Sequence, residues 1–159
     1  FEVHELTSLY LINLVINMLL GPGFGKVVTR FGERNTLVFE YVGLVFVFLA
    51  YGGIYFFGWG VFLAAALYVL DHLFFSLAFA LKTYFQKIAD PADIAPTAAV
   101  AFTFNHIAAV GLPVFLGLLW LVAPSLVFVA AAIMAMISLG LAFLIPRAPA
   151  PGRETIFSK

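Results

Sequence analysis

The sequence predicts an all-α fold: a polytopic bundle of about five membrane-spanning helices. Three observations carry that expectation. First, 64% of the residues are hydrophobic and only 10% are charged, with a mean hydropathy of +1.11. Soluble domains carry about 25% charged residues, so there is too little polar surface here to cover a water-soluble globule. Second, the apolar residues fall into five runs near the length that crosses a bilayer as helix, about 20 residues. Third, all eight Lys and Arg residues lie in or at the border of alternate gaps between those runs or after the last one.

The runs can be taken in order. The first covers residues 6–20 and is expected to stop at Gly21-Pro22-Gly23. A basic, glycine-rich stretch, GPGFGKVVTRFGER, follows and reads as a loop at a membrane face. The second run covers 36–51 and ends in an uncharged aromatic turn, YGGIYFFGWG, whose Tyr and Trp suit the headgroup region. The third covers 60–83 and continues into a polar end closed by Asp90-Pro91. The fourth covers 96–121, with Pro96 near its start. A break at Ala123-Pro124-Ser125 leads to the fifth, 126–145. Residues 147–159 form a polar, Pro-rich tail expected to be disordered.

Lys26, Arg30 and Arg34 lie between runs one and two, Lys82 and Lys87 between three and four, and Arg147, Arg153 and Lys159 after five. With alternating topology these places share one side, while residues 1–5, the turn at 52–58 and the turn at Ala123 have no Lys or Arg. The positive-inside rule makes the basic side cytoplasmic. The expected location is therefore an integral membrane protein, of the bacterial inner-membrane kind, with its C-terminus in the cytoplasm. The chain starts at Phe1 rather than Met, which suggests a trimmed chain or a fragment.

Polar groups within spans are costly and mark functional candidates. Asp71 and His72 sit near the middle of run three; Tyr68, His72 and Ser76 share a face at i, i+4, i+8. A carboxylate and an imidazole at mid-membrane can exchange protons near neutral pH. The alternative is a hydrogen-bonded contact that only holds helices together. Asn105 and His106, with Thr103 nearby, occupy the middle of run four. Pro113, flanked by Gly111 and Gly117, is expected to kink that helix or let it pack closely. Asn13 and Asn17 on run one read as helix-packing amides, and Glu40 as a structural ion pair to Arg30 or Arg34. The small residues 64–66, 98–101 and 130–132 read as close-packing faces.

Several function classes find no support in the residues. Zero formal net charge gives no nucleic-acid footprint. The absence of cysteine removes disulfides, thiolate metal sites and Cys nucleophiles. No Walker-type loop, H-E-x-x-H or G-x-S-x-G occurs, so neither nucleotide hydrolysis nor a recognisable enzyme centre is indicated. His72 and His106 lack identified carboxylate partners for a metal. No metal, cofactor or enzymatic activity is expected.

The stretch Gly25-Lys26-Val27-Val28-Thr29-Arg30-Phe31-Gly32-Glu33-Arg34 resembles the loop signature of the major facilitator superfamily, G-x3-[D/E]-[R/K]-x-G-[R/K]-[R/K]. Gly25, Arg30, Gly32 and Arg34 match; Thr29 replaces the acidic residue and Glu33 a basic one. In that family the loop joins the second and third helices of each six-helix half on the cytoplasmic side. The resemblance implies that the five runs are helices eight to twelve of a twelve-helix carrier, whose N-terminal half would be a partner missing from this chain. It further implies a small-molecule substrate, a lipid environment and alternating access around a midplane site. Asp71, His72 and Tyr68 would bind substrate or couple protons, Asn105 and His106 would line the cavity, and Arg30 and Arg34 would act at the cytoplasmic face. The alternative function is a stand-alone multi-span scaffold or assembly subunit without transport activity.

Overall fold

The computed structural model describes residues 3–158. Six helices follow in order: α1 (Val3–Phe31), α2 (Glu33–Phe57), α3 (Val61–Ser76), α4 (Phe79–Ile88), α5 (Pro91–Val122) and α6 (Pro124–Phe143). Counting α3 and α4 as one, five helical stretches are long and apolar enough to cross a membrane. Their surface agrees with that solvent. Phe62 is 93% exposed and Leu121 and Val122 are 81% exposed, and each such side chain left in water would forgo about 1.5–3 kcal/mol. The chain is built as an integral membrane protein. Phe1, Glu2 and Lys159 of the charge pattern lie outside the described residues.

The basic stretch is not a loop. Pro22 lies inside α1, which runs unbroken through Gly21–Gly23 to Phe31. Proline removes one intrahelical hydrogen bond and its ring crowds the preceding turn, but the flanking glycines carry no side chain to add to the crowding. The chain turns one residue later, at Gly32, with φ 80° and ψ 160°. That conformation is essentially restricted to glycine and strains other residues by about 1–3 kcal/mol. Gly32→Ala should destabilise the protein by that amount, read as a lower thermal midpoint in detergent. Gly25→Ala, mid-helix with open space around it, should not.

Helix α2 is the hub, with a third of its span buried. It packs antiparallel against α6: Tyr51 stacks on Phe128 with centroids 5.3 Å apart, and Arg34 lies over the Phe143 ring at 6.0 Å. Buried Ala132, Ala135 and Ala142 line this contact side of α6, and small side chains let helix backbones approach. Gly52 and Gly53 belong to α2 rather than to the turn; Gly52 meets Phe128 and Gly53 meets the Trp59 ring. The turn itself is made at Gly58 in the left-handed conformation. The small residues 98–101 are exposed and pack against nothing in the described chain.

The third run is broken where the sequence has no Gly or Pro. Between α3 and α4 the bonds shorten to the i→i+3 pattern: Leu77 N donates to Phe74 O (2.9 Å), Ala78 N to Phe75 O (3.1 Å) and Ala80 N to Leu77 O (2.9 Å). A 3₁₀ turn inside a helix is a common hinge element.

The two ends of the bundle differ. At the basic end Val28, Leu37, Ala80, Ala142 and Ile145 form one core, with Val38, Tyr41 and Tyr84 against it. Lys87 joins the end of α4 to Glu33 at the start of α2 at 2.6 Å. The basic gaps are thus gathered at one end, as the charge pattern requires.

The tail is folded, against the expectation of disorder. Tyr84 donates its hydroxyl hydrogen bond to the Glu154 carbonyl, and Ile156 N donates to Leu144 O at 2.9 Å. A local bridge joins Ala150 and Arg153, with Gly152 at φ 81°. The Glu154 carboxylate accepts from Gly152 N (2.6 Å) and from the Ser158 hydroxyl (3.1 Å). The backbone N–H groups of Glu154 and Gly152, with Ser158, hold its carboxyl below the usual carboxylate range. A lowered native pKa stabilises the fold at pH above the ordinary carboxylate value, and the contribution is lost as pH falls through the native one. Protection of the Ile156 amide from hydrogen exchange, relative to its intrinsic rate at each pH, should therefore fall on acidification below the ordinary carboxylate range, while Glu154→Gln should lower it already at neutral pH and leave α2 and α6 unchanged.

Candidate functional site

The intramembrane polar groups of α3 and α1 meet along one seam. Asp71 and His72 are both part-buried, with His72 Nδ1 3.6 Å from Asp71 Oδ2. His72 Nδ1 also lies 3.0 Å from the Tyr68 carbonyl. A carbonyl can only accept, so Nδ1 carries the proton and Nε2 is the basic nitrogen of the neutral ring. The Tyr68 ring covers the imidazole at 4.4 Å. One turn on, the Ser76 hydroxyl reaches both the His72 carbonyl (2.8 Å) and Asn17 Oδ1 on α1; its single proton serves one of them at a time. Asn17 Nδ2 donates to the Asn13 carbonyl at 3.0 Å.

This seam contains Tyr68, His72 and Ser76, which the helical spacing places on one face, together with the adjoining Asp71. It also adds Asn13 and Asn17 of α1. Asn17 joins helices as a packing amide does, since it accepts from the Ser76 hydroxyl of α3. Asn13 is 2% exposed, and neither its Oδ1 nor its Nδ2 has a partner among the described residues. An unpaired buried amide costs about 1–3 kcal/mol, so a hydrogen-bonding guest at this point would be favoured. Tyr51 of α2 interacts electrostatically with Asp71 and Tyr68, which brings a third helix to the site. The 3₁₀ turn lies immediately beyond Ser76. Chemically, the arrangement offers a carboxyl, an imidazole and neutral donors and acceptors within apolar surroundings. It can move a proton and orient a small polar solute.

The second pair stands apart. No residue of α5 is buried, and Asn105 and His106 are exposed on it. His106 Nδ1 donates to the Phe102 carbonyl (2.9 Å), and its ring packs on Phe102 at 4.0 Å. Among the described residues no hydrogen bond, ion pair or ring contact links Asn105 or His106 to Asp71 or His72. Helix α5 runs continuously past both Pro96 and Pro113. Gly111 and Gly117 have no atom within 4 Å of where a Cβ would stand, so they hold no close contact within this chain.

At the basic end the expected ion pair is replaced by another. Glu40 is 1% exposed and forms no salt bridge with Arg30 or Arg34. Arg30 lies over Phe31 at 5.6 Å, Arg34 lies over Phe143, and Lys87 pairs with Glu33. Arg30 closes α1 and Arg34 opens α2, and Glu40 is buried toward neighbouring helices rather than toward the arginines. No group of three or more potential metal ligands occurs among the described residues. No family model, curated protein or solved structure matches the chain.

Proposed function

We propose that these helices belong to a secondary transporter that moves a small solute by alternating access, coupled to protons. The observation that carries this reading is the seam of Tyr68, Asp71, His72, Ser76 and Asn17 beside a broken span. Ionisable groups inside a membrane mark substrate and proton paths, and discontinuous helices beside a midplane site are a recurrent transporter feature. The resemblance of the Gly25, Arg30, Gly32 and Arg34 pattern to major facilitator carriers agrees with it. In this reading the basic end faces the cytoplasm, the membrane is a plasma membrane, and the exposed α5 lines a cavity completed by further helices of the same carrier.

The test is solute-evoked proton flux. Proteoliposomes of the polypeptide that contains this chain are screened with small polar and amphipathic solutes under an imposed pH gradient. A solute-dependent dissipation of the gradient is the expected result. The scaffold reading is favoured by one observation, the α5 helix with no buried residue and an exposed polar pair, which suits a docking face as well as a cavity wall. That reading gives no solute-evoked flux and a stoichiometric membrane partner on purification.

A further inference from the structure

A second polar line runs along the buried face of α2, and no role has been given to it. Glu33, Thr36 and Glu40 follow at i, i+3, i+7 and so share a side of the helix. They are 3%, 2% and 1% exposed. Seven residues at 1.5 Å each carry the line about 10 Å inward from the basic end. Its outer member, Glu33, is neutralised by Lys87 at 2.6 Å. In the middle, the Thr36 hydroxyl donates to the Gly32 carbonyl at 2.8 Å, which leaves its oxygen lone pairs free to accept. The inner member has no such arrangement, for Glu40 Oε2 is buried without a hydrogen-bond partner among the described residues.

The charged and titratable groups of the surrounding helices do not supply what Glu40 lacks. Helix α6 has none at all in its sequence. On α4, Lys87 is held by Glu33 and Tyr84 is turned to the tail; Lys82 is exposed. On α1, Arg30 lies over Phe31 and Lys26 is exposed. On α2 itself Arg34 lies over Phe143, and Tyr41 interacts electrostatically with Glu40 without neutralising it. On α3, Tyr68, Asp71 and His72 belong to the seam. Gly43 of α2 meets Phe74 of α3, so Glu40 lies about 9 Å along the helix axes from the level of Asp71, two stretches of three residues.

A buried carboxylate without a counter-charge is costly, and the group that removes that cost need only be a small cation. We infer that Glu40 is the binding site of a monovalent cation, a proton or an alkali ion, entered from the basic end past Glu33 and Thr36. For a proton the only change is one O–H bond made on the Glu40 carboxylate; for an alkali ion it is coordination by that carboxylate with Thr36 oxygen as the neighbouring ligand. This site goes beyond the transport reading and does not require it, since occupancy is measured without any solute.

Purified full chain in nanodiscs would be compared with Glu40→Gln by infrared spectroscopy and by radioactive sodium binding at neutral pH. A protonated-carboxyl C=O band that is lost in Glu40→Gln identifies a proton; stoichiometric sodium binding that is lost identifies an alkali ion. Carbon-13 labelling of glutamate must shift the band, which assigns it to a glutamate rather than to Asp71 even where the variant folds poorly. Glu40→Asp, which keeps a carboxyl, should restore whichever signal is lost. An ionised Glu40 band with no sodium bound, or either signal surviving unchanged in a folded Glu40→Gln, overturns the inference. Proton or sodium occupancy without solute-evoked flux would leave this site standing while the transport reading fails.

Discussion

Asp71→Asn should abolish pH-driven solute movement, lowering it by at least about 100-fold, the lower end of what a positioned proton-transfer group contributes. Asparagine has nearly the shape of aspartate and can still hydrogen-bond, so helix packing survives the change. What it cannot do is take up and release a proton. The neighbour at 3.6 Å, His72, then loses its carboxylate partner. The Tyr68 carbonyl still holds Nδ1, so the ring keeps its orientation. Membrane expression and thermal stability should therefore be close to those of the parent chain. Gradient-driven uptake in proteoliposomes, compared with exchange at equal pH on the two sides, separates coupling from binding. Unchanged pH dependence in Asp71→Asn would reduce the seam to a packing contact.

Gly43→Val should destabilise the bundle by about 1–3 kcal/mol, the usual cost of overpacking. A Cβ at residue 43 would stand 2.3 Å from Cε1 and Cζ of Phe74, so the ring must move. Phe39 packs edge-on against it, with centroids 5.6 Å apart. Beside the two rings lies an open apolar groove of about 500 Å³, lined by Phe39 and Phe74 themselves and by Val42, Phe46 and Leu70. An alanine methyl can be absorbed by a swing of the ring into that groove, but the two γ-methyls of valine occupy part of the same space. Phe74 also supplies the carbonyl that begins the 3₁₀ turn, so its displacement would reach the broken span. The thermal midpoint in detergent should fall by roughly 2–4 °C per kcal/mol for a chain of this size. Phe74→Leu in the Gly43→Val background should recover part of the loss, and an equal loss with and without Phe74 would remove the contact as its cause.

The comparison of sequence with structure turns on particular residues. Five apolar stretches were legible because hydrophobic length is a one-dimensional property, summed along the chain. The grouping of basic residues was legible for the same reason, as alternation needs only the number of crossings. Stops were less legible. Gly21-Pro22-Gly23 has the composition of a terminator yet lies inside α1, whereas Phe74–Ala78 has no breaker and interrupts span three. The tail has a disordered composition, but Tyr84 and Leu144 supply partners that composition cannot show.

The same division holds for the site. The face shared by Tyr68, His72 and Ser76 follows from helical period, a local rule. That Asn17 is the partner of Ser76, that Glu40 is left unpaired while Glu33 takes Lys87, and that Gly43 is filled by Phe74 are contacts between helices distant in sequence. The sequence by itself determined the solvent, the number of stretches long and apolar enough to cross a membrane and the gathering of charge at one end, because these depend on residue type and order along the chain. Only the tertiary structure decided which buried polar groups are satisfied. A hydrogen bond or ion pair depends on separations of about 3 Å, and those are set by how helices pack against one another.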